Sequence, residues 1–305
     1  MIATVARQQL VSLRRQRIFV ALVGILLFMT AMAGVIGWMS RETIVRVYDE
    51  AVRLLASNGQ AAPPNPFELK PTLSMLSNMS IYIPLIGALL AIVLGHLSLA
   101  DDESTGIGRM IFSRQIARTS YVAGKILSSA IVLALAMAAS MAVSLVALLL
   151  VNRGLPTGGE FVQLGGFYAL SWLYLMLFAL IGMAAVLVTR RRSLALLAAM
   201  GFWLILTFAV PQFTSGLRPT TSLNPITDPV STSQPFFTAT AKARPFSISE
   251  QYKEASGAIL GTAPSESGTE TTKRVLPLAV SVAGMAAATT ALVKRHDYSK
   301  GTSDE

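Results

Sequence analysis

Few side chains in this sequence could do chemistry, and their spacing narrows it further. The two histidines, His96 and His296, stand far apart in the chain. With no acid or second histidine beside it, His96 reads as a plain interfacial histidine and not as a proton relay or metal ligand. Met75 and Met79 stand at i and i+4, a workable spacing for a thioether pair holding a soft metal. Methionine is equally ordinary packing material, and no metal site is expected. Cysteine is absent, which removes disulfides, thiolate zinc sites and cysteine nucleophiles. No G-x-x-x-x-G-K-S/T loop occurs, so the usual cradle for nucleotide phosphates is missing. Nor do a nucleophile and a base stand at a spacing that suggests catalysis. The chain is therefore expected to be no enzyme and to carry no cofactor of its own.

What remains is the charged stretch 101–125, DDESTGIGRMIFSRQIARTSYVAGK. Asp101, Asp102 and Glu103 open it; Arg109, Arg114, Arg118 and Lys125 follow, with Ile107, Met110, Ile111 and Ile116 between them. Ser104, Thr105 and Gly106 are turn or helix-start residues. Met110, Ile111 and Arg114 fall on one helical turn, so a short amphipathic element would present apolar side chains inside a charged rim. That pattern reads as a short surface element.

The elements that hold this stretch are long and apolar. Runs at 79–99 and 126–151 flank it, and four more lie at 18–39, 164–189, 193–213 and 274–293. Each is near the about 20 residues that cross the hydrocarbon at 1.5 Å rise. Only helices and closed barrels satisfy their backbone in lipid, and ten-residue alternating strands are not seen. With 53% apolar and 13% charged residues, the fold class is all-α: a polytopic membrane protein with six transmembrane helices. No Asp, Glu, Lys or Arg falls in the middle of a span, which argues against an ion-coupled carrier. An aqueous channel is disfavoured too, because no span has a repeated polar stripe.

Within the spans, Pro84 calls for a local distortion and Pro211 breaks the fifth run near its end. The Ser- and Ala-rich third run permits close helix approach. Tyr168, Trp172 and Tyr174 fit an aromatic belt in the outer half of the fourth. Outside them, residues 1–17 form an interfacial helix with Ile2, Val5, Ala6, Leu10 and Leu13 on one face, interrupted by Gln9. A secretory signal is suggested by Ala31-Met32-Ala33, but the apolar run is too long for one. The polar segment 40–78 leaves the membrane, starts with a helix over 41–57 and breaks at Asn58-Gly59. The segment 214–273 is a long extracytoplasmic loop with one helical island at 247–260, opened by a Ser247/Glu250 capping box.

The net charge of +9 does not mark a nucleic-acid binder, because the cations divide by membrane side. Fourteen Lys and Arg lie with the termini, the 101–125 stretch and Arg190 to Arg192, against 11 on the other side. The short-loop rule makes the first side cytoplasmic, with both termini there, and a cell membrane is the expected location.

The order Glu103, Gly106, Arg109, Ser113, Arg118, Gly124, Lys125 resembles the segment after the second span of ATP-binding-cassette (ABC) type-2 permeases. The 214–273 loop is similar to that of the branch containing the nitrous-oxide-reductase maturation permease. The resemblance implies that 101–125 is a cytoplasmic coupling loop docking on a separate ABC ATPase subunit, which would bind the ATP and Mg. By the same resemblance Glu103 and Arg109 give polar contacts there, with Ser113, Arg118 and Lys125 among the coupling residues. Ile107, Met110 and Ile111 fill the partner's groove, while Gly106 and Gly124 shape turns. It further implies a second permease copy or a homologous permease, with the outer loop open to an extracytoplasmic partner protein. A membrane scaffold or assembly factor that moves nothing, and an ion-coupled carrier, are the alternatives; Ile107, Gly108 and Gln115 depart from the family pattern.

Overall fold

Six apolar runs become six membrane-crossing helices, with the polar segments folded around their ends. The computed structural model describes residues 7–9, 11–12, 16–61, 64, 72–104, 117–152, 156–189, 191–215, 235–262 and 268–296. Among these there is no β-strand. Of the expected interfacial helix over 1–17, residues 7–9 and 11–12 are helical, Gln16 is extended and Arg17 already belongs to the next helix, and the rest lies outside the described residues.

The first crossing helix, α1, runs unbroken over Arg17–Ser57. The sequence places a membrane exit at Ser40 and a separate helix after it; the helix passes straight through. Between Ser40 and Ser57 there is no Gly or Pro, and moving from lipid to water changes what solvates the side chains, not the backbone ladder. It stops where expected, at Asn58, with Gly59 at φ 70°.

Prolines distort helices here without ending them. The second crossing helix, α2 (Leu73–Asp102), contains a π-turn over Ile83–Gly87 at Pro84 and continues as α-helix through Ser104. The third, α3, is Arg118–Asn152, the fourth, α4, is Gly158–Val188, and the fifth, α5, is Arg192–Thr214. Pro211 was expected to break α5, yet the helix runs past it, because a π-turn over Ile205–Ala209 reroutes the backbone bonds just before the residue that lacks an N–H. Side chains from other helices reach carbonyls in both π-turns. The Trp203 indole donates to Pro84 O at 2.9 Å and the Ser249 hydroxyl to Leu206 O at 3.1 Å.

α4 is the centre of the bundle, touching α2, α3, α5 and both later long helices. Its start is fixed by a capping box between Thr157 and Glu160. Small residues let α2 approach it closely: a Cβ on Gly95 would fall 1.9 Å from Ala179 O, and one on Gly182 would fall 2.4 Å from Ile92 O. The expected aromatic belt on α4 is instead interior. Tyr168 and Tyr174 are buried; Tyr168 Oη lies 2.6 Å from Ser144 Oγ, and Trp172 Nε1 donates to Ala130 O at 2.9 Å. A buried ring with a polar tip is stable where a partner waits for it, and the Ser- and Ala-rich α3 supplies such partners.

Two pieces precede the final span: α6 (Pro235–Thr240), followed by a 3₁₀ turn over Ala241–Phe246, and α7 (Ile248–Leu260). The last crossing helix, α8, spans Gly268–Arg295 and starts earlier than the apolar run, with Pro277 inside it. α7 matches the expected island, but it is folded into the bundle against α4 and α8 and is no surface excursion. Tyr252 stacks on Tyr174 with ring centroids 4.5 Å apart, and its hydroxyl lies 3.0 Å from Ser171 Oγ. Such a ring pair adds about 0.5–1.5 kcal/mol beyond burial. The Ser247 side chain makes no capping bond to the helix start, so the expected capping box does not form. Glu250 is drawn inward, where it accepts from Thr214 Oγ1 and faces Arg244 Nε at 3.5 Å, while Arg244 also pairs with Glu254. Burial raises the Glu250 carboxyl above its ordinary value, partly offset by the Thr214 bond and the Arg244 charge.

Candidate functional site

A cluster of charged and polar side chains links the elements at one end of the bundle, where α2 ends and α3, α5 and the amino-terminal segment begin. Consecutive residues on a helix point about 100° apart, so Asp101 and Asp102 cannot serve the same neighbour. Asp101 turns to α5 and α1: Arg192 Nη2 is 2.6 Å from its Oδ1, and Gln16 Nε2 donates to its Oδ2. Asp102 turns to α3: Lys125 Nζ lies 2.7 Å from its Oδ2, and the Tyr121 hydroxyl donates to the same oxygen at 2.7 Å. This second cluster is nearly closed to solvent, with the Lys125 and Asp102 side chains only 6% and 11% exposed. A buried pair of this kind fixes geometry, because breaking it leaves a charge with no water to turn to.

Arg118 ties down a third element. Its Nη1 donates to Lys294 O at 2.7 Å and His296 O at 3.1 Å, at the carboxyl end of α8. Terminal helix carbonyls carry partial negative charge, so a guanidinium is favourable there. His296 Nδ1 in turn lies 3.2 Å from Leu187 O on α4. On the neighbouring face of α3, the Ser128 hydroxyl donates to Gln9 Oε1 and Gln9 Nε2 lies 3.4 Å from Ser129 Oγ. Gln9, the residue that interrupts the apolar face of the first segment, is thus its buried anchor.

The expected coupling residues divide into two groups. Arg118 and Lys125 sit on the first two turns of α3, bonded within this chain, and Asp101 to Ser104 complete α2. The connection between the two helices is therefore shorter than the charged stretch. Gly124, expected at a turn, is buried inside α3, since that helix begins six residues before it. Glu103 has a helical backbone, and Gly106, Ile107, Arg109, Met110, Ile111 and Ser113 lie outside the described residues.

His96 is buried within the bundle, lying where Gly182 lets the α4 backbone approach. Its Nδ1 has no hydrogen-bond partner among the described residues. Met79 is fully buried in the apolar core. Met75 packs by its backbone on α1, where a Cβ on Gly37 would lie 2.8 Å from Met75 O. No three His, Cys, Asp or Glu side chains converge among the described residues.

Six crossing helices, with α4 packed against α2, α3, α5 and α8, make this a multi-pass membrane protein. The chain matches the family model described as ABC-2 family transporter protein over residues 3–298, and it belongs to that family. It is a membrane permease subunit of an ABC transporter, a class that works with an ABC ATPase and as a pair of permease chains. No curated protein sequence matches it.

Proposed function

We propose that this chain receives the closing motion of a separate ABC ATPase through the loop between α2 and α3 and converts it into movement of cargo across the bilayer. One observation carries the reading: both ends of that loop are clamped to other helices. Asp101 holds the start of α5 and the residue preceding α1, Asp102 holds α3, and Arg118 holds the end of α8. A force on the loop reaches four crossing helices and the α2 that carries it, without crossing a flexible joint at either anchor. The ATPase end faces the cytoplasm with both termini, in line with the excess of Lys and Arg there. ATP and Mg are held by the ATPase, and the second permease is another copy or a homologous chain. Glu103 and Arg109 supply the polar contacts to the ATPase; Ile107, Met110 and Ile111 supply the apolar ones, with Gly106 and Ser113 shaping the loop. On the far side α7 closes the outer end of the bundle.

The test is affinity purification of the tagged protein from membranes in mild detergent, followed by identification of its companions and an ATPase assay. A stoichiometric ATPase, lost on charge reversal in E103K/R109E, is the expected result. Association and ATP-dependent transport unchanged by those reversals would overturn the assignment of the loop. Full function with an ATPase unable to hydrolyse ATP would favour a scaffold.

A further inference from the structure

α1 and α3 meet closely at Gly34, where an added Cβ would lie 2.6 Å from the Ala147 Cβ. Along this seam, lined from Ala31 to Arg46 on α1 and from Val143 to Val151 on α3, lies a groove of about 900 Å³. That is within the roughly 300–1,000 Å³ of small-molecule sites. The walls are apolar, with Val35 and Trp38 on one side and Val146 and Leu150 on the other, all exposed within the chain. The outer rim is polar: Arg41, Glu42 and Arg46 line it, and Arg41 Nη1 bridges to Val151 O at 3.0 Å where α3 ends.

The depth of that rim follows from the sequence. Between Arg17 and Arg41, α1 carries no charged residue. An apolar stretch of this length matches the hydrocarbon thickness, so Arg41 marks the membrane boundary. Trp38 lies one turn below it, the level at which indoles sit against lipid headgroups.

We propose that this groove binds one anionic glycerophospholipid, with an acyl chain along Trp38, Val35, Val146 and Leu150 and its phosphate at Arg41 and Arg46. The rim selects the headgroup by charge. Among the described residues lining it, two guanidiniums and one carboxylate leave a single net positive charge, the complement of a headgroup with one net negative charge. Guanidinium also matches phosphate oxygens with paired donors. The site lies at the opposite end of α1 and α3 from the coupling loop, and it does not depend on the ATPase reading.

The experiment uses the full chain reconstituted in nanodiscs, with tryptophan quenching by brominated phosphatidylglycerol or brominated phosphatidylcholine at matched mole fraction. Subtracting the signal of Trp38→Phe isolates the reporter in the groove. The expected result is half-maximal Trp38 quenching at about fivefold lower mole fraction of the anionic lipid, the effect of about one surface cation on one lipid charge. Arg46→Gln, on the exposed extension of α1, should remove that preference while leaving the thermal midpoint unchanged. Equal quenching by the two lipids overturns the proposal and leaves ordinary contact with bulk lipid. Quenching by neither, with Val146→Cys forming crosslinks between copies, overturns it in favour of a second permease chain in the groove.

Discussion

Replacing Lys125 by Met removes the cation from a carboxylate that is only 11% exposed, while a side chain of similar length fills the space. Asp102 then keeps only the Tyr121 hydroxyl, 2.7 Å from its Oδ2. Breaking a buried pair from one side costs about 3–5 kcal/mol, mostly because the remaining charge stays desolvated. Adding Asp102→Asn removes that charge yet leaves an acceptor for Tyr121, so D102N/K125M should recover most of the loss and end within about 1–2 kcal/mol of the wild type. The four proteins of this cycle can be compared by SDS-induced unfolding in mixed micelles, read by circular dichroism. If Lys125→Met stays within about 1 kcal/mol of the wild type, the pair is effectively solvated and the reasoning about the clamp fails. A double variant as damaged as the sum of the singles refutes it from the other side, since the two side chains would then act independently.

Other expectations follow from separate parts of the bundle. Gly95→Ala forces a methyl to within 1.9 Å of Ala179 O, which is backbone and cannot rotate away; a loss of at least about 1–3 kcal/mol and a fall in folded yield by size-exclusion chromatography are expected. Glu250 holds its proton more tightly when folded than when unfolded, so ionisation opposes the folded state as pH rises above the ordinary value of 4.5. Melting at a series of pH values should show that stability falling from acid toward neutral in the wild type, with Glu250→Gln flattening it; an unchanged profile would place the dependence elsewhere. Gln9→Ala loses the two contacts to Ser128 and Ser129, about 1–2 kcal/mol, and should expose the amino-terminal segment to limited proteolysis without altering the melting of the bundle.

The number of crossings, the all-helical class, the end of α1 at Asn58 and the island at 247–260 were legible in the residues themselves. Hydropathy and breakers act locally: an apolar run must satisfy its backbone bonds within itself in lipid, and Asn58-Gly59 ends a helix wherever it stands. Local patterns could not say which face of a span meets protein, because lipid and protein interiors accept the same side chains. Hence α4 looked like any other span, its aromatic residues looked like a belt, and a polar helix seemed bound for solvent when Tyr252 and Glu250 carry it into the bundle. The 101–125 stretch was recognisable from its charges and their order. That Asp101 and Asp102 diverge to Arg192 and Lys125, that Gln9 reaches Ser128, and that Arg118 closes the end of α8 were decided only by tertiary structure. Those partners are distant in sequence, and a charged side chain near a membrane surface selects the neighbour that the packing of the helices brings within about 3 Å.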